Sequence, residues 1–179
     1  MVVAVGLFVV YVASIAGANW MIGHVGRQVG PNHVLPVGFG LVAPSGVYLA
    51  ALTFVARDLV QRTAGVRVGL LAVVVGALVS WAVSSAALAL ASGVTFLVSE
   101  TCDFLVYTPL QVRHFPAAVF VSGAVGDLID STLFLTLAGI PLSVAWPGQV
   151  VGKGWIILAG GVLAGGLRRL GPFARPAPA

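Results

Sequence analysis

Long uncharged apolar stretches dominate this chain and leave little sequence between them. No Asp, Glu, Lys or Arg occurs from Met1 to Gly26, from Gln28 to Ala56, from Val68 to Ser99, or from Ser131 to Gly152. A helix crossing a bilayer needs about 20 predominantly apolar residues. The 179 residues therefore fit six spans with short connections. Only 8% of residues are charged and 59% are hydrophobic, whereas soluble domains carry about 25% charged residues. A mean hydropathy of +1.08 agrees. This composition excludes a soluble globular enzyme, a disordered chain and a nucleic-acid-binding domain, and it leaves no room for an ATPase domain. The sequence pI near 10 reflects loop arginines that orient a membrane protein, not a nucleic-acid partner. The single Cys102 cannot form an intrachain disulfide and says nothing about compartment.

The expected fold class is all-α integral membrane, one six-helix domain over residues 1–170 with a flexible tail over 171–179. Span 1 covers Val2 to Ala18. It lacks a basic n-region and reads as a retained helix, although Ala16-Gly17-Ala18 loosely imitates a signal cleavage site. A polar connection runs from Asn19 to His33. Span 2, Val34 to Ala56, holds Pro36 and Pro44-Ser45-Gly46, which predict a break or kink. Arg57 to Arg67 reads as a loop. Span 3 is Val68 to Ala91, Ala91-Ser92-Gly93 a tight turn, and span 4 Val94 to Val112. Span 5 runs from Phe115 to Ala138, Gly139 to Trp146 is a connection, and span 6 is Gly148 to Leu167.

Charge bias sets the orientation. With a cytoplasmic N-terminus, the inner side holds Arg57, Arg62, Arg67, Arg113, Arg168, Arg169 and Arg175, and the outer side only Arg27. Seven against one predicts N-in and C-in by the positive-inside rule. Gly148/Gly152 and Gly161/Gly165 have the small-xxx-small spacing that lets helices approach closely, and intrachain packing is its simplest use. The oligomeric state is not legible.

Four carboxylates fall inside spans. A charge at a helix centre costs about 2.5–3.5 kcal/mol on insertion scales, so such groups normally face an interior partner or cavity. Glu100 and Asp103 are three residues apart, as are Asp127 and Asp130, which puts each pair on one helix face. Their ordinary reading is a position near a helix end, in water or in structural hydrogen bonds. Lys153 and Arg27 are the available cations, and Lys153 reads as snorkelling to an interface in preference to capping a buried acid. A polar cavity of carboxylates, Asn, Ser and aromatics suits a flat nitrogen-rich ligand, because a carboxylate accepts two parallel N–H bonds. Trp81, Phe104 and Tyr107 are candidates to stack on such a ring. The same chemistry also fits a cation or a proton relay. At Pro44 one helical hydrogen bond is lost. The Pro44-Ser45-Gly46 segment is thus either a packing kink or broken backbone aimed at a ligand, with the Ser45 hydroxyl among the groups offered.

Several ordered stretches resemble the vitamin uptake transporter family whose best-known members are queuosine precursor transporters. Ala18-Asn19 resembles its first-helix end. Pro44-Ser45-Gly46, leading through Leu52-Thr53-Phe54 to Asp58 and then Ala64-Gly65, resembles its Pro-small-Gly segment. Asp103-Phe104-Leu105-Val106-Tyr107-Thr108-Pro109-Leu110 is similar to its fourth-helix signature. Ser122, Gly126, Leu128-Ile129-Asp130-Ser131 and Phe134 are similar to its fifth. The resemblance covers residues 15 to 140. It implies a six-helix carrier for a 7-deazaguanine-type base, with a bundle like the substrate-binding subunits of energy-coupling-factor transporters. Together the residues and the resemblance give a candidate substrate site of Asn19, Pro44, Ser45, Gly46, Asp58, Glu100, Asp103, Tyr107, Ser122, Asp127 and Asp130. No catalytic residue, metal or cofactor is expected, and the partners are a purine-like small molecule and the lipid bilayer. Two departures add charge: Asp127 stands where an amide is expected, and Arg57 precedes Asp58 where a neutral residue is common.

Three other classes compete. One is a membrane subunit handing a vitamin to an ATP-driven partner. Another is a pore-forming or structural protein. The third is an intramembrane aspartyl hydrolase, for which Gly126-Asp127 supplies half of a signature that Ala124 leaves incomplete. No Walker A motif is present, so the chain does not hydrolyse ATP through one.

Overall fold

Six long helices run antiparallel, and one of them is wrapped by the other five. The computed structural model describes residues 2–30, 32–86 and 88–177; Met1, Pro31, Ala87, Pro178 and Ala179 lie outside this description. Helix α1 is Val2–His24, α2 Val47–Ala64, α3 Val66–Val83, α4 Ala89–Leu110, α5 Phe115–Leu137 and α6 Leu142–Leu167, followed by a short α7, Gly171–Ala174. Between α1 and α2 lies a three-stranded antiparallel sheet, β1 Arg27–Val29, β2 Asn32–Gly38 and β3 Leu41–Pro44. The chain is therefore mostly helical, as expected of an all-α membrane protein, with one small sheet added at an end of the bundle.

Five helices, all except α2, are long and apolar enough to cross a membrane, the pattern of a multi-pass membrane protein. Their outer faces expose Val, Leu and Trp, as at Leu78, Trp81, Leu105 and Val162. Helix α2 packs against α1, α3, α4, α5 and α6. Its neighbours hide its polar residues, so Arg57, Asp58, Gln61 and Arg62 are all buried. Helices α1 and α6 flank a gap that β2 and β3 fill at one end of the bundle. We call this the sheet end, and the opposite one, where α7 packs on α2, the tail end.

Several boundaries differ from the sequence reading. Residues 34–44, expected to begin span 2, form the hairpin β2–β3, and Pro44-Ser45-Gly46 precedes a helix instead of breaking one. The hairpin lies along α6. A Cβ on Gly148 would strike the Val42 carbonyl, Gly152 faces Val37 and Val47, and Trp155 donates Nε1–H to the Val37 carbonyl at 2.9 Å. Val-rich runs of this length fit strand and helix alike. Ala91-Ser92-Gly93, expected as a turn, belongs to α4, because its small residues serve close packing: Gly93 faces Trp81, and Ser92 and Ser80 hydroxyls meet at 2.7 Å. The expected loop at Arg57 is helical through Ala64. Gly65 alone connects α2 to α3, with φ of +93°, a conformation that glycine adopts without a Cβ penalty. The expected connection before Gly148 is largely the start of α6.

The tail, read as flexible, docks as far as it is described. Phe173 is buried with Leu59 and Phe115. Arg62 Nε donates to the Phe173 carbonyl at 3.0 Å and Nη1 to the Gln111 carbonyl at 2.7 Å, while Ala177 N–H reaches the Arg62 carbonyl at 3.0 Å.

Candidate functional site

Buried charge gathers in two tiers along the bundle. The tier nearer the sheet end joins α5 to α6. Lys153 Nζ lies 2.6 Å from Asp130 Oδ2 and 3.5 Å from Asp127 Oδ1, and it donates to Ser131 Oγ at 2.8 Å. Ser131 in turn donates to Asp127 Oδ1 at 2.8 Å. The one-turn spacing of Asp127 and Ser131 on α5 makes this possible. Lys153 is thus a buried cap on two acids, 1% exposed, and does not snorkel. Asp130 keeps 18% of its side chain exposed, and Ser99 approaches its other oxygen at 3.4 Å.

That residual exposure opens into a cavity. Asp130, Lys153, Gln149 and Asn19 supply its polar lining, Phe54, Phe96 and Phe134 its aromatic walls, and Thr53, Pro44 and Gly46 part of its edge. At the sheet end it adjoins a wide vestibule bordered by Trp20, His24, Arg27, His33 and Leu88, and the two spaces share Asn19, Ile22 and Pro44. The cavity therefore opens toward the sheet end. Apolar walls with a few convergent polar groups are the usual form of a small-molecule site.

The second tier lies deeper and joins α2 to α4. Arg57 is its centre. Its Nε donates to Glu100 Oε2 at 3.1 Å and its Nη1 to Gln61 Oε1 at 2.9 Å. Its Nη2 stands 2.9 Å from both Asp58 Oδ1 and Asp103 Oδ1, at angles too bent for a hydrogen bond to either. Gln61 passes the network on to Thr108 at 3.0 Å. Ser122 on α5 donates to Asp58 Oδ2 at 3.2 Å. The guanidinium carbon lies 5.4 Å from the Tyr107 ring centroid and 5.7 Å from that of Phe104, within the range of cation–π attraction. Arg57, Asp58, Glu100 and Asp103 are each 0% exposed. Three carboxylates thus share one guanidinium, closed off from the surface.

The candidate residues divide between these places. Asn19, Pro44, Gly46 and Asp130 line the cavity. Asp127 joins the Lys153 tier behind Asp130. Asp58, Glu100, Asp103, Tyr107 and Ser122 converge in the sealed tier, away from the cavity surface. Ser45 belongs to neither. Its hydroxyl reaches the Met21 carbonyl at 2.6 Å and the His33 carbonyl at 3.2 Å, so it ties α1, the sheet and α2 together and offers nothing to a ligand. Trp81 is exposed on the outer face of α3 and cannot stack in the cavity, and Phe104 stacks beside Arg57. The expected placement of Arg57 in a loop is corrected outright: it is the core of the sealed tier, because α2 is wrapped on all sides. Reading from sequence missed Gln149, Phe54, Phe96 and Thr53. Gln149 and Lys153 carry a signal, as two polar residues one helical turn apart in an apolar run.

Among the described residues no group of three His, Cys, Asp or Glu side chains is placed to hold a metal ion. Family models, curated proteins and solved structures give no match to this chain.

Proposed function

We propose that the chain is a six-span carrier of the cytoplasmic membrane that imports a 7-deazaguanine-type queuosine precursor. The cavity carries this reading. It has aromatic walls, and a carboxylate with two amide side chains on its lining, the group set for the N–H edge of a flat heterocycle. Asp130 accepts parallel N–H bonds, Asn19 and Gln149 read remaining donors and acceptors, and Phe54, Phe96 and Phe134 flank the ring. Lys153 pairs with Asp130 and fixes its orientation.

Direction follows from charge. Arg62, Arg67, Arg113, Arg168, Arg169 and Arg175 lie in the tail-end half, against Arg27 at the sheet end. Moving Arg57 into the core changes the expected split from seven against one to six against one, and the bias stands. The tail end is then cytoplasmic and the cavity opens outward. Helix α2 is the sixth span, too polar for lipid and shielded by its neighbours. The family resemblance supports the ligand: motif residues quoted from three separate stretches, Asn19, Pro44 with Gly46, and Asp130, line one cavity. An aspartyl hydrolase would need two acids that both reach its substrate, whereas Asp58 and Asp103 are sealed around Arg57 and Asp127 lies behind Asp130 on Lys153.

The test is rescue of queuosine in tRNA in a host that lacks its own precursor carrier. Rescue by this chain alone supports a self-sufficient carrier. Rescue only with an added ATPase partner would make it a binding subunit, and no rescue with protein present in the membrane would sink the ligand assignment.

A further inference from the structure

The sealed tier is not needed to hold the ligand, since none of its charged groups lines the cavity. It also has too few cations. Arg57 faces Asp58 from its own helix and Glu100 and Asp103 from α4. The groups facing it from the other elements are neutral hydroxyls: Tyr11 on α1, which donates to the Ala72 carbonyl at 2.9 Å, and Ser122 on α5. Lys153 on α6 is committed to the other tier. With every acid ionised, the tier would hold two uncompensated negative charges closed off from solvent, which is costly, and each proton taken up removes one of them.

A second observation is independent of the count. Glu100 Oε1, Asp103 Oδ2 and the Tyr107 hydroxyl, all fully buried, have no hydrogen-bond partner among the described residues. A carboxylic acid supplies the missing donor, because protonation turns an orphaned acceptor into an O–H group. Thr53 provides the route. It borders the cavity, its hydroxyl donates to the Ala50 carbonyl at 2.7 Å, and it sits one helical turn before Arg57, the partner of Glu100. Its oxygen therefore keeps lone pairs free for a Glu100 O–H. Phe54, the next residue, lines the cavity and touches Gly126, which also contacts the Asp103 Cβ. The two tiers thus share a packed partition, and a change in one is felt by the other.

We propose that the sealed tier is a proton-binding site in which Glu100 takes up a proton from the cavity side past Thr53, and that its occupancy is coupled to transport through the cavity. The proton leaves a hydronium ion in the cavity, which becomes water, and forms an O–H bond at Glu100 Oε1; the reverse step hands it back to a water once the cavity faces the other side. The coupling half rests on the carrier reading above, and the proton-binding half does not.

Two measurements separate these halves. Infrared difference spectra of the purified full chain, taken across a pH titration, should show the C=O stretch of a buried carboxylic acid. That band should vanish in Glu100→Gln, and its exchange with deuterated solvent should slow in Thr53→Val, which keeps shape and charge and guards against a Glu100 variant that does not fold. No such band at any pH, or one that persists in Glu100→Gln, overturns the proton site. In proteoliposomes, an inwardly directed proton gradient should drive radiolabelled 7-deazaguanine above its equilibrium level. Glu100→Gln should lose that accumulation and keep exchange of internal for external base. Accumulation indifferent to the gradient in the parent protein overturns the coupling. If the base is not transported at all while the infrared band behaves as stated, the ligand reading fails and the proton site stands.

Discussion

Two tiers built from the same sequence device have taken opposite forms. Each contains two acids spaced three apart on one helix, Asp127 with Asp130 on α5 and Glu100 with Asp103 on α4. In the upper tier a lysine from a neighbouring helix meets both acids, and Asp130 still touches the cavity. In the lower tier an arginine from the wrapped helix meets both acids and brings its own neighbour, Asp58, as a third. The choice of cation fits the depth. A guanidinium delocalises its charge and offers five donors in a plane, which suits several acids around one buried centre, whereas an ammonium acts as a point charge at a wetter site. Spacing along a helix brings acids together; what the next helix presents decides whether they bind or lock.

The sharpest way to break this comparison is to remove each cation in turn. Arg57→Met should be the most damaging substitution in the chain. It strands three buried acids, and loss of one partner from a buried ion cluster costs about 3–5 kcal/mol. The expected outcome is loss of folded protein, read by size-exclusion of a fluorescent fusion. Lys153→Met should cost less, about 1–3 kcal/mol, because water in the cavity still reaches Asp130. If Lys153→Met proves as destructive as Arg57→Met, the upper tier is as sealed as the lower one.

Asp130→Asn sharpens the comparison from the ligand side. Asp127 remains to pair Lys153, so the protein should fold. The paired N–H acceptor is lost, at about 1.5–3 kcal/mol for a hydrogen bond to a charged group, which weakens 7-deazaguanine binding by roughly tenfold or more. Asp103→Asn should instead act through the sealed tier and lower thermal stability. Ligand-induced thermal shifts of the two variants decide this, and equal loss of the shift with unchanged stability in both would merge the two tiers into one binding site.

What the sequence made legible follows the same division. Helices α3 to α6 were visible because a lipid-facing helix must be apolar over most of its surface. Helix α2 obeys the opposite rule. It faces only protein, so Arg57, Asp58, Gln61 and Arg62 made its second half look like a loop. The β2–β3 hairpin was mistaken for the start of a span because Val34, Leu35, Val37, Leu41 and Val42 suit a strand packed on α6 as well as a helix in lipid. The cost of charge inside a span marks the acid pairs as interior groups and their spacing puts each pair on one face, yet nothing in the spacing assigns Asp130 to a cavity and Glu100 to a sealed core. That assignment depends on Arg57 and Lys153, which arrive from other helices.

Glycines at helix crossings offer a smaller test. A Cβ on Gly46 would strike the Ala18 backbone, where α2 starts against α1. Gly46→Val should therefore lower stability by about 1–3 kcal/mol, the usual cost of overpacking, and disturb ligand binding only as the crossing shifts. Of the two uses the sequence leaves open for Pro44-Ser45-Gly46, packing and backbone aimed at a ligand, this contact favours packing at Gly46. Thermal unfolding with and without 7-deazaguanine separates the two; a lost ligand shift at parental stability would restore the ligand-contact reading.

The smallest effect is expected at Ser45, and it isolates the Pro44-Ser45-Gly46 segment from the chemistry of both tiers. The Ser45 hydroxyl lies against the Met21 and His33 carbonyls, and its N–H bonds the His33 carbonyl at 3.0 Å. Ser45→Ala removes the side-chain link and keeps the backbone one. A typical hydrogen bond contributes about 0.5–1.5 kcal/mol net, so the melting point should fall slightly. The residue is 0% exposed, so no ligand atom can reach the position it vacates. Binding of 7-deazaguanine should therefore match the parent once temperature is set relative to each melting point. If affinity falls while stability does not, the hydroxyl turns toward the cavity when the base arrives, and the segment must then be counted as part of the moving machinery and not as the clasp that holds α1, the sheet and α2 in place.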